Sequence, residues 1–344
     1  MQDDPLMLKR RDRVARETAE AALSPIATRS RETRGRERPE EPDAFRTAFE
    51  RDRDRIIHAK AFRRLKHKTQ VFLNPEGDHF VTRLTHTQHV AQIARALAAA
   101  LGLNEPLAEA IALGHDVGHT PFGHTGEEAL DPYFPPDGWH HAAQSVRIFE
   151  VLEDLNLTWE VRDGIRAHSW KIDPPPATPE ALTVRYADRI AYLSHDALDA
   201  IRAGVLTAAE LPAGVVDRFG EPGRAWIGRM IEAVVDTSLR VGRVEMDPAT
   251  LAVMHELRGF MFERVYQSPG QRAQQAAAVR VLRDLVDWHL ERPDQIPDTY
   301  RQHEAPPIVQ VTDYVAGMTD RYALRVHAER IGGVDLPVGL ASPD

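Results

Sequence analysis

Cysteine is absent from this chain, which removes disulfides, thiolate metal sites and cysteine nucleophiles together. Any metal must therefore sit on His, Asp or Glu. Long apolar runs are missing too: none approaches the roughly 18 residues needed to cross a bilayer. The opening MQDDPLMLKRRDR has no apolar segment behind its charges, unlike a secretory signal. The expectation is a cytoplasmic protein with no membrane partner. No G-x-x-x-x-G-K-[ST] loop, H-E-x-x-H helix or G-x-S-x-G elbow occurs, which sets aside P-loop, zincin and serine-hydrolase chemistry. A net charge of −9 argues against nucleic-acid binding over the whole surface. The charge is unevenly spread, and residues 44–70 run the other way, with nine Lys/Arg against three Asp/Glu. That stretch reads either as a solvated helix face or as a positive wall beside a polyphosphate.

Residues 1–42 are rich in Arg and Glu and broken by Pro25, Gly35, Pro39 and Pro42. They read as an N-terminal arm, ordered only against something else. From Asp43 the apolar spacing turns helical: Phe45, Phe49, Ile56, Phe62 and Leu65 first, then Val90, Ile93, Leu97 and Leu101. Pro106 suits the first turn of a third helix running towards His115. Residues 117–138, with their glycines and prolines, read as loop. Helical spacing resumes at about 140–154, 157–169, 180–203, 223–241, 247–266 and 271–291. IVQVT at 308–312 has a strand-like run, and a last helix is expected over 313–331. Strands and helices do not alternate, so a parallel sheet is excluded. The chain is read as all-α, with a catalytic bundle over 43–205 and additional C-terminal helices over 206–344 packed on it.

Eight of the sixteen histidines fall between His79 and His141. A single histidine on an apolar helix face is usually structural, but this clustering beside acids points to chemistry. His115 and Asp116 stand where the third helix meets the turn Val117-Gly118-His119. Neighbours on a helix point about 100° apart, but at a helix end one ion can accept both. His86 lies near the start of the preceding helix, and Asp188 opens a face continued by Tyr192, His195 and Asp199. Imidazole nitrogens with carboxylate oxygens suit Mn, Fe, Co or Ni, and Mg less well. Three helices meeting at one ion would leave positions open for water and phosphate.

The segments RGRERPEE (34–41), FERDRDRIIHAKAFRRLKHKTQVF (49–72), RLTHTQHVAQIAR (83–95), GHDVGHTPFGHTGEEAL (114–130), HHAAQSVRIFE (140–150) and YADRIAYLSHD (186–196) follow one another in a distinctive order. Together they resemble the deoxyguanosine triphosphate triphosphohydrolase family of HD-domain proteins, strongly over 30–200. The resemblance implies a helical HD-domain bundle that hydrolyses dGTP, or dNTPs generally, to deoxynucleoside and inorganic triphosphate, controlling dNTP pools. It implies a divalent ion, with Mn or Mg the usual choice in assay, on His86, His115, Asp116 and Asp188. It gives His124 and Glu127 to the attacking water or the leaving group, and sets His119 and His141 towards the phosphates. His89 is not a ligand in that pattern, and His140 stands where relatives often have an acid. Arg83 and Arg189 are implied as phosphate contacts. Gln70, Tyr192 and Asp196 are implied to hold the sugar, with Tyr192 excluding a 2′-hydroxyl. A homo-oligomer is implied as well, and single-stranded DNA or a dNTP stays open as an effector. Rival readings are an HD hydrolase of nucleoside monophosphates or alarmones, a dNTP sensor without turnover, and a DNA-responsive protein.

Overall fold

The computed structural model describes residues 10–70 and 81–334. His79 and the Val71-Phe72 end of the second motif lie outside them. Among the described residues every regular element is a helix, and the extended pairings are two isolated bridges, Arg36–Thr158 and Thr69–Thr82. The α-helices are α1 (Arg13–Ala19), α2 (Ala48–His58), α3 (Lys60–Arg64), α4 (Arg83–Leu101), α5 (Glu105–Gly114), α6 (His124–Leu130), α7 (His141–Arg147) and α8 (Trp159–Arg166). They continue with α9 (Pro179–Arg202), α10 (Ala213–Phe219), α11 (Arg224–Val241), α12 (Pro248–Met261) and α13 (Pro269–Glu291). Last come α14 (Asp298–Arg301), α15 (Pro307–Ala316) and α16 (Asp320–Arg330). No helix among the described residues is long and apolar enough to cross a membrane.

The helices that matter for the site start where side chains satisfy their first free amides. Thr47 and Glu50 form a reciprocal cap on α2. Thr82 and Thr85 do the same for α4. Asn104 caps α5, and Thr178 caps α9 with Pro179 as its first residue. The central helix α4 packs on α5 and α9, and α2 packs on α5. Ile93, Leu97, Ile111, Val184 and Ile190 fill the space between them without exposure. This core runs on past Arg202 into Trp226 and Met230 of α11 and Met254 and Leu257 of α12. A second core joins Phe122, Ala129, Leu130 and Trp139 to α13, α15 and α16.

Three expectations change. IVQVT lies within α15, started by Pro306 and Pro307. Its β-branched residues favour a strand locally, but Val311 and Val315 share a helix face in the second core. The helix expected over 313–331 is two, α15 and α16, divided at Gly317–Thr319. The stretch read as loop over 117–138 contains α6. The loop reading rested on its glycines, one of which has a packing reason. A Cβ on Gly118 would sit 2.3 Å from the His141 carbonyl oxygen and the Ser145 amide nitrogen.

The described part of the arm is tied down by buried carboxylates. Glu180 accepts from the Thr28 amide (2.9 Å) and hydroxyl (2.8 Å), and from the Asn104 amide (3.0 Å). Glu160 accepts from the Thr33 hydroxyl and the Arg34 amide, both at 2.7 Å. Arg36 donates to Asp52 at 2.5 Å and to the Asn156 carbonyl at 2.6 Å, and Asp52 has no exposure. Burial raises the Asp52 carboxyl above its usual range despite Arg36. Removing one partner of a buried pair strands the other charge, at about 3–5 kcal/mol. Arg36→Ala should therefore lower unfolding stability by about that amount in denaturant titration. An arm that merely rests on the surface would leave the midpoint unmoved.

Candidate metal centre

His86 projects one turn into α4, His115 and Asp116 follow the last turn of α5, and Asp188 lies mid-way along α9. Their polar atoms converge. His86 Nε2 is 3.1 Å from Asp188 Oδ1 and 3.8 Å from Asp116 Oδ2. His115 Nε2 is 3.3 Å from Asp116 Oδ1 and 3.9 Å from Asp188 Oδ1. The tautomer of His115 follows from its other nitrogen. Nδ1 is 2.6 Å from the Ala112 carbonyl oxygen, which can only accept, so Nδ1 carries the proton. Nε2 is left with its lone pair, buried and without a hydrogen-bond partner among the described residues. A buried lone pair facing two carboxylates fits a divalent cation, and the imidazole and carboxylate donors fit the borderline metals. His86, His115 and Asp188 have ligand atoms close enough to share one ion.

Burial would raise both carboxyls. The imidazoles of His115 and His119 and the Arg83 guanidinium instead hold Asp116 well below its usual range. The His86 hydrogen bond and His115 hold Asp188 at about 2. Arg83 has 1% exposure. It donates from Nη1 to Asp116 Oδ2 at 2.7 Å and from Nε to the Thr69 carbonyl at 3.0 Å. The expected phosphate contact is thus a guanidinium already engaged with Asp116.

Next to this group Glu127, in the first turn of α6, joins two imidazoles. Oε2 is 2.8 Å from His124 Nδ1, and Oε1 is 2.5 Å from His141 Nδ1 while accepting the His141 amide at 3.0 Å. His119 lies parallel to His141 at 3.9 Å between ring centroids, its Nε2 3.2 Å from Asp116 Oδ1. The His119, His124, Glu127 and His141 donors also lie close enough together to hold an ion. His124 is the open member, with a side chain 75% exposed. Burial, with Arg83 and His141 alongside, depresses His119 well below the usual imidazole range. Glu127 would be raised by burial, but His141, His119 and His124 hold it well down.

Sequence reasoning missed His168, which stands 3.0 Å from His141, Nε2 to Nε2. Its Nδ1 is 2.8 Å from the Ile165 carbonyl, so Nδ1 holds the proton and Nε2 accepts from His141. Burial pushes His168 down to about 3, keeping it neutral. Nothing in the IRAHSW stretch (165–170) announces this role, because no acid or second histidine stands at helical spacing from His168.

The expected sugar residues are brought together only in part. Asp196 is buried and accepts at 2.7 Å from the Tyr266 hydroxyl, a second residue missed in the sequence because it comes from the turn after α12. Burial, then Asp199 and Asp188, pushes Asp196 up to about 8. Tyr192 is half-buried one turn from Asp188. Gln70 keeps a buried Oε1 with no partner among the described residues. Arg189 lies over Trp170 at 4.0 Å and donates to His255 Nε2 at 2.9 Å. His89 stacks on His195 at 4.0 Å.

Residues 83–193 match the HD domain family, and residues 244–329 match the phosphohydrolase-associated domain family. A deoxyguanosinetriphosphate triphosphohydrolase-like protein of Caldanaerobacter subterraneus subsp. tengcongensis is 48% identical over 318 residues, covering 89% of this chain and 91% of that protein. One of Desulfatibacillum aliphaticivorans is 47% identical, over 88% of this chain and 92% of its own length. One of Clostridium perfringens is 43% identical, over 87% and 91%. Alike over most of both lengths and through both helical regions, this chain belongs to the deoxyguanosinetriphosphate triphosphohydrolase-like family of HD-domain phosphohydrolases.

Proposed function

We propose that the protein hydrolyses deoxynucleoside triphosphates to deoxynucleoside and inorganic triphosphate, using a divalent ion, Mn or Mg, held by His86, His115, Asp116 and Asp188. The observation that carries this reading is the pairing of two adjacent arrangements. One is a buried His115 lone pair facing two carboxylates; the other is a carboxylate, Glu127, joining two imidazoles beside it. When bound, the ion supplies Lewis-acid stabilisation of charge on a phosphoryl oxygen. The chain's own groups do the rest. His124 Nδ1 is engaged by Glu127, so Nε2 is the atom free to take or give a proton. In the reaction a water oxygen bonds to the α-phosphorus, the bond from that phosphorus to the 5′-oxygen breaks, and the 5′-oxygen leaves with a proton.

Arg189 and Arg258 offer positive charge for the outer phosphates, and both lie close enough to His255 to depress it, behind the effect of burial. Asp196, gripped on one oxygen by Tyr266, keeps its other oxygen for a 3′-hydroxyl. The Tyr192 ring, one turn from Asp188, would press on C2′. A sugar anchored one or two helical turns from the ion, about 6–12 Å at 1.5 Å per residue, brings the α-phosphorus to the reacting position.

Three outcomes are expected. Asp188→Ala and His115→Ala should each lose activity and drop from about one bound ion per chain towards none, with the helical circular dichroism kept. Full metal stoichiometry by elemental analysis in both variants would refute the ligand assignment. Ribonucleotides should be slower substrates: GTP should turn over roughly 100-fold less efficiently than dGTP, the scale on which a shaped pocket rejects one added hydroxyl. Equal kcat/KM values would remove the steric gate. In heavy-oxygen water the label should enter inorganic triphosphate, read by mass spectrometry. Orthophosphate with dNDP as first products would overturn attack at the α-phosphorus, and pyrophosphate with dNMP would overturn departure of the 5′-oxygen.

A further inference from the structure

Where the C-terminal helices meet the loop between Asp116 and His124, a set of buried polar groups takes no part in the proposed reaction. Asp320, in the first turn of α16, accepts from the Thr69 amide through Oδ2 at 2.9 Å and from the Phe122 amide through Oδ1 at 3.1 Å. Lys68, buried, donates from Nζ to the carbonyl oxygens of His119 and Ala316. One carboxylate and one ammonium thus join the catalytic loop to chain that lies about 200 residues further on.

The loop needs such support at one point. Phe122 has φ +63° and Gly123 has φ +58°, so two successive residues occupy the left-handed region. For a bulky side chain that is strained backbone, and it persists only where its surroundings over-determine it. Gly123 also gives α6 no side-chain cap. The next residue is His124, so the direction in which its imidazole leaves the chain is set by this turn. The Phe122 ring is fixed within the second core, and its amide is fixed by Asp320. The other Asp320 oxygen holds Thr69, whose carbonyl accepts from Arg83, the residue that grips Asp116.

We propose that Asp320 is a positioning residue: by holding the Phe122 and Thr69 amides on one carboxylate, it fixes the strained turn that delivers His124 to the site. The C-terminal helices are then part of the machinery rather than a covering for it. The inference rests on the reading of His124 and Glu127 as the proton-handling pair. Asp320→Asn keeps the shape but turns one oxygen into an amide that must face an N–H donor, so one of the two bonds is lost.

The test uses full-length, manganese-loaded protein. In the unaltered chain the Phe122 amide should exchange with solvent as slowly as helical amides of α6, because it is hydrogen-bonded and buried; rapid exchange would overturn the proposal without any variant. In Asp320→Asn, exchange over residues 119–127 should speed by roughly tenfold or more while residues 90–98 of α4 stay unchanged. Bound manganese should stay constant. On dGTP, kcat should fall by about 10- to 100-fold, the scale of lost supporting contacts, with KM nearly constant. On a His124→Ala background the same substitution should cost nothing further. Unchanged exchange over 119–127, or losses that multiply with His124→Ala, would overturn the assignment. If the unaltered protein hydrolyses no nucleotide, the functional reading fails, and exchange alone decides the positioning claim.

Discussion

A carboxylate taken out of water must be repaid by cations and hydrogen-bond donors, and Asp116 is where this chain meets that demand. Its Oδ2 takes the Arg83 guanidinium, while its Oδ1 lies within 3.3 Å of both His115 and His119. Isolated burial of such a charge is prohibitive. Each group that compensates Asp116 therefore has to be held in place by its own element. Arg83 is fixed by the start of α4 and by the Thr69 carbonyl. His119 is held by its stack on His141, whereas His115, oriented by the last turn of α5, turns a lone pair towards Asp116 and gives it no donor. The arrangement of helices around the site can be followed outward from this one acid.

The same economy recurs away from the site. Residues 20–38 carry little regular structure, so their backbone groups cannot satisfy one another and need partners from the body. Glu160 and Glu180 supply them to the Arg34 and Thr28 amides, each from the start of a helix, and Asp52 of α2 takes the Arg36 side chain. Glu180 stands two turns before Asp188 on α9, so the helix that carries Asp188 is also the post to which the arm is fastened.

The HD pair could be picked out in the sequence because a helix end, a Gly-rich turn and a crowd of histidines coincide there. Repeated apolar spacing likewise marked α4, α9 and α13. Other features left no local trace. His168 beside His141, Tyr266 on Asp196 and Asp320 under the Phe122 turn come from three separate stretches, and each has unremarkable neighbours in the chain. Arg83 could be read as a cation near the site, but its engagement with Asp116 depends on two helices meeting. The run 308–312 misled because β-branched residues favour strands, while burial of one face in the second core decides for helix. The arm reads in sequence as ordered only against something else, and the described part of it is held by buried acids of the body, though its composition does not say which ones.

The Lys68 ammonium that spans the His119 and Ala316 carbonyls has a consequence for how the protein comes into being. Contacts between distant stretches form late, since closing a long loop costs entropy before the contact returns any. On the ribosome, α4, α5 and α9 emerge well before α15 and α16. A nascent chain therefore possesses His86, His115, Asp116 and Asp188 while the loop from His119 to His124 still lacks its ties to Ala316, through Lys68, and to Asp320. The order of synthesis makes the meeting of α4, α5 and α9 an early event for this polypeptide and the bracing of the loop by α15 and α16 a late one.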